Sequence, residues 1–435
     1  MPAARDPLVP DRNAWSPVTI CLAIGLAAQL LFTIGLGRPS TLVFDETHYV
    51  PAARHLLALD MPWNTEHPLF GKALIALGMR IYGDNAIGWR ALSSLAASAT
   101  VMGMFAIAWL LTGRVRTAVF TAVFVVLNLT IYIQARIAML DGFMVAFLVV
   151  GLALLLWART SPDNYVTERW VTGAACLGLA VGVKWAAIPY VAAAGLAFTA
   201  ARLRDARAAG VAPGRMLAWS AGAHWQGLSL PGGLVLLGLV SLLAYLLTFA
   251  PAFFYEQQWL TMGDLIPFQF HMLAQQRQVL PAHPYQSDWW SWPLMIRPIW
   301  YLYENVDGAQ RGILLVGNPA ILWGGIVAAA ALLWLGIRRR SATLLAPPAL
   351  WLFSWLIFAI IPKSLGFFYY YYPATIFLGL VLAVAFQEVQ GTRRWDLWFA
   401  LGAGALFLYF FPIVSAMALP DPQSFRNWMW FPTWP

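Results

Sequence analysis

The sequence PVTICLAIGLAAQLLFTIGL occupies residues 17–36, and after a short link FDETHY follows at residues 44–49. The first stretch is apolar throughout and has about the ~20 residues that a helix needs to cross a bilayer. It is too long for a signal-peptide core and no small-residue cleavage site follows it, so we expect a retained first span. Asp45 and Glu46 then emerge at the membrane edge, where ionised groups are costly unless they face water or a polar cavity. They are candidate site residues, although two solvated loop charges would give the same pattern.

Composition places the whole chain in a membrane. It is 60% hydrophobic, 15% aromatic and 11% charged, whereas soluble domains carry roughly 25% charged residues. One core cannot bury so much apolar surface, and apolar runs of span length recur from end to end. We therefore predict an all-α integral membrane protein. Cys21 and Cys176 both lie inside apolar runs, and two cysteines exclude a cysteine-based zinc site.

The apolar runs predict about 11 transmembrane helices, with interfacial helices in the first outer loop. The predicted spans lie near residues 17–37, 88–112, 117–133, 142–158, 170–183, 185–201, 231–250, 313–337, 344–361, 367–387 and 397–415. In the first outer loop, Val50, Ala53 and Leu57 share one helical face, which is typical of a helix lying in the interface. Three regions follow from this layout: an N-terminal transmembrane catalytic module (1–250, with the first outer loop 38–86), an outer segment (251–312) and a C-terminal transmembrane module (313–435).

The charge distribution predicts the orientation. Net charge is +8, and arginines are concentrated in alternate loops, at 114–116, 202–215, 338–340 and 393–394. The positive-inside rule places these loops and the N-terminus in the cytoplasm, and the C-terminus in the periplasm. Because these arginines are topology signals, the basic balance does not indicate nucleic-acid binding. The two carboxylates and all three lysines (Lys72, Lys184 and Lys363) fall on the outer side, so we expect the chemistry there.

Four polar patches on the outer side adjoin predicted spans. They are Phe44–Glu46 with Glu66–Lys72, Arg136–Asp141, Gly182–Trp185, and His283–Ser287 with Trp292-Pro293 and Arg297-Pro298. This set suits one reaction, in which a carboxylate takes a proton from an acceptor hydroxyl and cations hold the phosphate leaving group of a lipid-borne substrate. The chain has no Walker loop, dinucleotide fingerprint or His-Glu-x-x-His motif. A soluble nucleotide sugar is therefore a poor fit.

Each patch also has a structural explanation. Arg136 or Lys184 alone would be explained by a long side chain reaching from a span end to the interface. His67 or His283 alone would be an ordinary loop histidine, and the tryptophans of 289–292 would form an aromatic belt. The argument for function rests on their coincidence on one face of the bundle.

In this order, the motifs resemble those of the protein O-mannosyltransferase family of C-type glycosyltransferases. The matching segments are F-D-E at 44–46, H-P-L-F-G-K at 67–72, R-x-x-x-L-D at 136–141, K-W at 184–185, H-P-Y-x-S through W-P at 283–293, and G-N-P at 317–319. Leu69 and Phe70 depart slightly from the family's second motif. Residues 251–312 are too few for the separate soluble domain of fungal and animal members, which indicates the bacterial branch.

The resemblance implies an inverting transfer of a sugar, most simply mannose, from a polyprenyl-phosphate donor to a Ser or Thr hydroxyl. The acceptor would be an exported polypeptide, near the secretion machinery, on the outer face of the bacterial inner membrane. The resemblance implies no obligatory cofactor and no metal, and its other partners are membrane lipids rather than nucleic acid.

The resemblance also implies residue roles. Asp45 would be the base, and Glu46 would orient the site or bind the acceptor. Arg136 would hold the donor phosphate with help from Lys184 and Lys363. The remaining roles are site-shaping for His67, Lys72, Asp141 (by pairing with Arg136) and Trp185, and acceptor-side contacts for His283, Tyr285 and Arg297. Lys363 and the run Tyr369–Tyr372 depart from the family pattern, which leaves their contact with the donor open.

Two other functions remain compatible with the sequence. The same fold could move a different sugar onto lipid A or another envelope glycolipid, because the sequence does not reveal the acceptor. A secondary transporter would show internal repeats, with spans broken at matching places in two halves. The sequence shows no such repeat, and its polar groups gather on one face.

Overall fold

The computed structural model describes residues 15–160, 165–279, 281–361 and 364–435, and most of these are helical. The helices are α1 Pro17–Thr33, α2 Glu46–Ala58, α3 Phe70–Tyr82, α4 Ala86–Thr112, α5 Val115–Val126, α6 Leu129–Gln134, α7 Leu140–Thr160, α8 Val166–Val183, α9 Ile188–Ala208, α10 Leu230–Leu247, α11 Leu265–Gln276, α12 Pro319–Arg339, α13 Ala342–Ile360, α14 Tyr372–Glu388 and α15 Trp395–Val414. The described residues also form one antiparallel hairpin, β1 Ile299–Val306 and β2 Ala309–Leu315, and six short 3₁₀ helices.

Among the described residues, eight helices are long and apolar enough to cross a membrane: α4, α7, α9, α10, α12, α13, α14 and α15. Two further apolar helices, α1 and α5, are shorter. The predicted helical membrane protein is therefore confirmed. The count of about 11 spans stays a prediction.

Helix α14 is the centre of the C-terminal half. Its sequence is apolar on every side, from Ile376 to Ala385, and a helix of that kind is buried in the core of a bundle. It packs against α5, α12 and α13. The 3₁₀ turn Phe368–Tyr371 that leads directly into α14 therefore has a fixed position, and this turn carries the tyrosines that border the site described below.

Close helix contacts fix the N-terminal half. Helix α8 packs between α7 and α10, and at Gly178 a Cβ atom would lie 2.2 Å from the carbonyl oxygen of Ser241. Only glycine allows this approach, a common device where helices pack in membranes. The C-terminal end of α8 leads directly to Lys184, so this contact also positions that lysine.

The structure corrects three details of the predicted elements. Residues 313–315 belong to β2, and the helix predicted from 313 begins at Pro319. The predicted span 117–133 is interrupted at Asn128, whose side chain accepts from the Thr130 amide and donates to the Thr375 carbonyl. These features depend on contacts distant in sequence, which hydropathy does not report.

The third correction concerns α2, the first helix of the outer loop. Of the three residues predicted to share one face, Val50 and Ala53 are buried and Leu57 is 43% exposed, and Leu56 completes the buried face. The buried residues Val50, Ala53 and Leu56 are therefore spaced three apart, and α2 packs against α3.

Candidate active site

Asp45 lies where the chain turns from the first outer link into α2. Phe44 adopts a left-handed backbone conformation with φ 50°, which is uncommon for a bulky residue and usually needs support from its surroundings. Its ring stacks on Tyr301 of β1 with centroids 4.3 Å apart. The Tyr49 hydroxyl donates to the Asp45 carboxylate over 3.3 Å. The turn and the stacking together determine where this carboxylate points.

Glu46 is fully buried and forms a salt bridge of 2.7 Å with Arg90, which is equally buried. Arg90 donates through Nε to one carboxylate oxygen over 2.8 Å and through Nη2 to the other. The amides of Val43 and Ala138 donate to the same two oxygens over 2.9 and 2.7 Å. Four donors thus satisfy this carboxylate, as a buried charge requires. Its position leaves no surface for an acceptor, and it ties the first outer loop to α4 and to the start of α7.

Asp141, at the start of α7, pairs with Lys184. The lysine Nζ lies 3.0 and 2.8 Å from the two carboxylate oxygens, and both side chains are nearly buried. The predicted pairing of Asp141 with Arg136 is therefore wrong, because packing of α7 on α8 brings Lys184 to Asp141 first.

Arg136 is occupied by backbone carbonyls. It is 6% exposed, and its Nη atoms donate to Phe32, Ile34, Gly35 and Ser415. The first three belong to the C-terminal end of α1 and the residues just after it, where carbonyls lack helical partners and cations are favoured. This geometry fits a role in holding α1 in place better than contact with a phosphate.

Four tyrosines, here called the tyrosine cluster, surround the carboxylates: Tyr49, Tyr301, Tyr369 and Tyr370. Phe44 contacts Tyr369 edge-on at 6.0 Å, and the centroids of Tyr369 and Tyr370 lie 4.5 Å apart. The Lys184 Nζ lies 5.3 and 5.4 Å from these two rings. The run Tyr369–Tyr372, whose role the sequence left open, thus places two rings beside Lys184 and the carboxylates.

Burial raises the pKa of Asp45 to about 6, the charge of Lys184 opposes that rise, and the charge of Asp141 adds to it. At neutral pH the carboxylate is then mostly ionised and yet more basic than an ordinary aspartate. A general base works best with a pKa near the operating pH. Asp45 therefore has the electrostatic setting of a base.

A cavity of about 630 Å³ opens beside Lys184, and we call it the lateral cavity. Its apolar side comes from α9 and α13, including Ile188, Pro189 and Ile357, and its polar side includes Lys184 and Arg277. A cavity with an apolar wall and cations in its lining matches the chemistry of a lipid phosphate.

A second cavity of about 530 Å³, here called the loop cavity, lies under the outer segment. It is lined by residues that include Thr65, Trp259, His271 and Gln275. His67 lines both cavities, so it stands where the two spaces meet.

Lys72 fixes the loop that carries His67. Lys72 is 1% exposed, and its ammonium donates to the carbonyls of Asn64 and His67 over 2.5 and 2.8 Å. Burial lowers the pKa of Lys72 to about 7, and the charge of Glu66 opposes that change. The structure thus shows how Lys72 holds this loop, and its site-shaping role stays a prediction.

The residues predicted for the acceptor side form one group. The Arg297 Nε donates to the Pro284 carbonyl over 2.7 Å, and the Tyr285 amide donates to the His283 ring over 3.1 Å. The His283 ring meets Phe367 edge-on at 5.2 Å. Because Phe367 stacks on Tyr369, this group adjoins the tyrosine cluster.

Trp185 and Lys363 are the remaining predicted site residues. Trp185 lines the lateral cavity and donates from its indole nitrogen to the Tyr245 hydroxyl over 2.9 Å. Lys363 lies outside the described residues. Within the described part of the chain, no three His, Cys, Asp or Glu side chains are grouped to hold a metal ion, and the two cysteines are free.

Sequence reasoning missed Arg90, Arg277 and Tyr301. Arg90 had a usable signal, because a charged residue near the start of an apolar span needs a partner. Arg277 and Tyr301 lie in the outer segment, where no motif sets them apart. Only the fold shows that Arg277 lines the same cavity as Lys184 and that Tyr301 stacks on Phe44.

Comparison with known proteins agrees with this architecture. A family model described as dolichyl-phosphate-mannose-protein mannosyltransferase matches residues 81–253, and one described as the C-terminal four-transmembrane region of protein-O-mannosyltransferase matches residues 261–434. The polyprenol-phosphate-mannose–protein mannosyltransferase of Mycobacterium tuberculosis is 26% identical, covering 98% of this chain and 95% of that protein. The protein of the same name from Mycolicibacterium smegmatis is 25% identical, covering 97% and 93%.

Solved structures show the same fold at low sequence identity. The S. cerevisiae protein O-mannosyltransferase Pmt1-Pmt2 complex bound to the sugar donor has a TM-score of 0.82 at 12% identity, covering 98% of this chain and 93% of that chain. ArnT from Cupriavidus metallidurans bound to undecaprenyl phosphate has a TM-score of 0.56 at 17% identity, covering 93% and 66%.

The fold is therefore that of a C-type membrane glycosyltransferase. With both family models matched along most of its length, the chain belongs to the protein O-mannosyltransferase family. The predicted family is confirmed, and the mannosyltransferase function is favoured over the glycolipid and transporter alternatives.

Proposed function

We propose that this protein transfers mannose from a polyprenyl monophosphate to a Ser or Thr hydroxyl of a polypeptide. The observation that carries the proposal is the position of Asp45, a carboxylate of raised pKa whose charge interacts with Lys184 at the edge of the lateral cavity. A hydroxyl at neutral pH is a weak nucleophile that needs a base as it reacts. Asp45 supplies the base, and the cavity supplies space for the lipid.

The transfer step uses these groups in one displacement. The acceptor oxygen forms a bond to the anomeric carbon while the bond from that carbon to the phosphate oxygen breaks. The hydroxyl proton passes to Asp45. The departing polyprenyl phosphate carries the negative charge, and Lys184 and Arg277 stabilise it, so no acid is needed to protonate the leaving group.

Within this proposal, the donor phosphate lies at the polar end of the lateral cavity and the polyprenyl chain follows the α9–α13 wall. We assign the phosphate to Lys184 and Arg277 because Arg136 is committed to carbonyls. A contact from Lys363 stays a prediction. The sign of the charges supports the assignment, since both cations line the same space.

The acceptor polypeptide, in the same proposal, reaches Asp45 from the loop cavity past His67, with the His283 group on the other flank. Glu46 and Arg90 act as positioning residues that fix the turn at Asp45. The reaction takes place on the outer face of a bacterial inner membrane, on a polypeptide that has just been exported. This orientation rests on the distribution of arginines between loops.

The test is transfer in a purified system. The protein in detergent is incubated with polyprenyl-phosphate mannose and a Ser/Thr peptide, and mass spectrometry follows a peptide mass gain of one hexose. We expect wild type and Glu304→Gln to work, because Glu304 is an exposed carboxylate of β1 on the same side. Asp45→Asn should lose activity. Transfer to lipid in place of peptide, or no transfer with a folded protein, would contradict the proposal.

A further inference from the structure

The end of the bundle away from Asp45 contains a separate cavity of about 470 Å³ between α7, α9 and α13, here called the far cavity. Most of its wall is apolar and much of it is small, with Leu152 and Leu156 from α7, Ala197 and Ala201 from α9, and Ala346 from α13. Its volume lies within the ~300–1,000 Å³ of ordinary ligand sites. An apolar space between membrane helices suits a hydrocarbon chain, because water would find no polar partners there.

Two arginines stand at the rim of the far cavity. Arg159, in the last turn of α7, is half-buried with its guanidinium 5.5 Å from the centre of the Trp225 ring, and it forms no hydrogen bond or ion pair with any described residue. Arg204 approaches Asp205 only at 3.5 Å, which is long for a charge-assisted hydrogen bond. The other oxygen of the Asp205 carboxylate lies 2.8 Å from the His224 ring nitrogen. Both guanidinium groups therefore keep donors for an anion.

Helix α13 begins at the same rim. Ala342 and Thr343 of its first turn line the cavity, and the preceding Ser341 makes no side-chain capping hydrogen bond. The first amides of a helix carry partial positive charge and favour an anion. They add to the two arginines, which carry the argument.

We propose that the far cavity binds one anionic phospholipid of the leaflet opposite Asp45. Its phosphodiester head group lies between Arg159, Arg204 and the start of α13, and an acyl chain lies against the small residues of α9. Apolar walls with cations only at the rim match an amphipathic lipid rather than a soluble anion. Basic pockets between membrane helices recognise acidic head groups in this way.

This lipid takes no part in sugar transfer. Lys184 precedes α9 and Arg204 lies near its other end, and a helix of about 20 residues is roughly 30 Å long. The lateral and far cavities nevertheless lie between the same two helices, α9 and α13. The phospholipid therefore braces, from the far end, the helix pair that borders the lateral cavity.

Native mass spectrometry of the full-length protein, titrated with phosphatidylglycerol or phosphatidylcholine, tests the proposal. We expect wild type to retain one phosphatidylglycerol in preference to phosphatidylcholine. Arg159→Gln should weaken that binding about five-fold, the equivalent of ~1 kcal/mol for one cation near the membrane surface. Adding Arg204→Gln should bring the loss to roughly 20-fold. Arg338→Gln is the matched control, because Arg338 is an exposed arginine at the same end that also lies over a tryptophan, at 4.8 Å.

A second variant tests the shape of the site with both arginines in place. Ala201→Phe should fill the cavity and displace the lipid by at least five-fold while Arg159 remains. Equal retention of the two lipids by wild type, or unchanged retention in Ala201→Phe, would overturn the proposal. So would tighter binding of polyprenyl phosphate than of phosphatidylglycerol that depends on Arg159, because the occupant would then be the donor lipid.

Discussion

Asp45 and Glu46 are neighbours in sequence, yet their carboxylates have opposite surroundings. Glu46 is fully buried and receives four hydrogen bonds, two from Arg90 and two from backbone amides. Asp45 is partly exposed, receives one long bond from Tyr49, and faces the Lys184–Asp141 pair without joining it.

The two carboxylates are therefore suited to different roles: Glu46 holds the loop in place and Asp45 can react. A carboxylate whose lone pairs are all occupied cannot accept a substrate proton without losing a bond, so Glu46 is suited to fixing the loop. Asp45 keeps its lone pairs available, and burial without full pairing raises its pKa to about 6. The fully hydrogen-bonded Glu46–Arg90 pair thus holds in place the neighbouring Asp45 carboxylate, which keeps acceptor positions for a substrate proton.

The largest expected effect is on turnover. Asp45→Asn keeps the shape of the side chain but removes the base, so kcat should fall by ~10²–10⁴-fold with donor affinity little changed. Purified wild type and variant are compared in the peptide-transfer assay with both substrates saturating. Retention of half of wild-type kcat would remove Asp45 from the role of base.

Breaking the Glu46–Arg90 salt bridge should lower the stability of the fold. Arg90→Met leaves Glu46 buried and unpaired, which typically costs ~3–5 kcal/mol, so we expect a large drop in the melting temperature of the detergent-solubilised protein. The double variant Arg90→Met/Glu46→Leu should recover part of the loss, because it removes both charges. If Arg90→Met melted like wild type and lost only activity, the pair would belong to the reaction.

The pH profile sharpens the contrast. Because burial raises the pKa of Asp45 to about 6, kcat should be flat above about pH 7 and fall about tenfold per unit well below pH 6. The residual kcat of Asp45→Asn should not show this decrease at low pH. A profile that is level down to about pH 4.5 would contradict the assignment.

The same shift predicts the sign of a stability effect. The folded state holds the Asp45 proton more tightly than the unfolded chain, so the contribution of Asp45 to stability decreases as pH rises from about 4 to about 6. Asp45→Asn should therefore melt at a higher temperature than wild type at pH 7. The two melting temperatures should converge near pH 4.

The smallest expected effect concerns the exposed cation of the lateral cavity. Arg277→Gln should raise the KM for the donor about three- to five-fold, since exposed ion pairs contribute ~0.2–1 kcal/mol, and leave kcat nearly unchanged. Lys184→Gln should do more, because Lys184 is buried. The conservative Arg277→Lys should recover most of the affinity. An unchanged KM in Arg277→Gln would place the phosphate elsewhere.

The sequence was informative where chemistry and hydropathy are local. The membrane class, the family and most helices followed from apolar runs and ordered motifs. The motifs at Asp45, Asp141 and Lys184 also gave side chains whose charges do interact in the fold. Each of these signals is contained within a few residues, so no packing had to be known.

Contacts between elements that are distant in sequence could not be predicted from such local signals. The sequence suggested Arg136 as the partner of Asp141, whereas the packing of α7 on α8 brings Lys184 to this carboxylate. Helix α14 is apolar on every side, so its pattern indicates no preferred face or neighbour. The contact of Tyr301 with Phe44 joins residues more than 250 positions apart, and such a pair has no signature in a single sequence.

The hairpin β1–β2 has a consequence for the timing of biogenesis. Tyr301 supports Phe44, and Asp307 at the turn of the hairpin binds Ser40, accepting from its amide over 3.0 Å and from its hydroxyl over 2.5 Å. The ribosome delivers Asp45 early and these supports only after about two-thirds of the chain. A nascent chain that has inserted its first helices therefore carries Asp45 without the contacts that position it. A translation product truncated before residue 299 would insert into the membrane but be inactive.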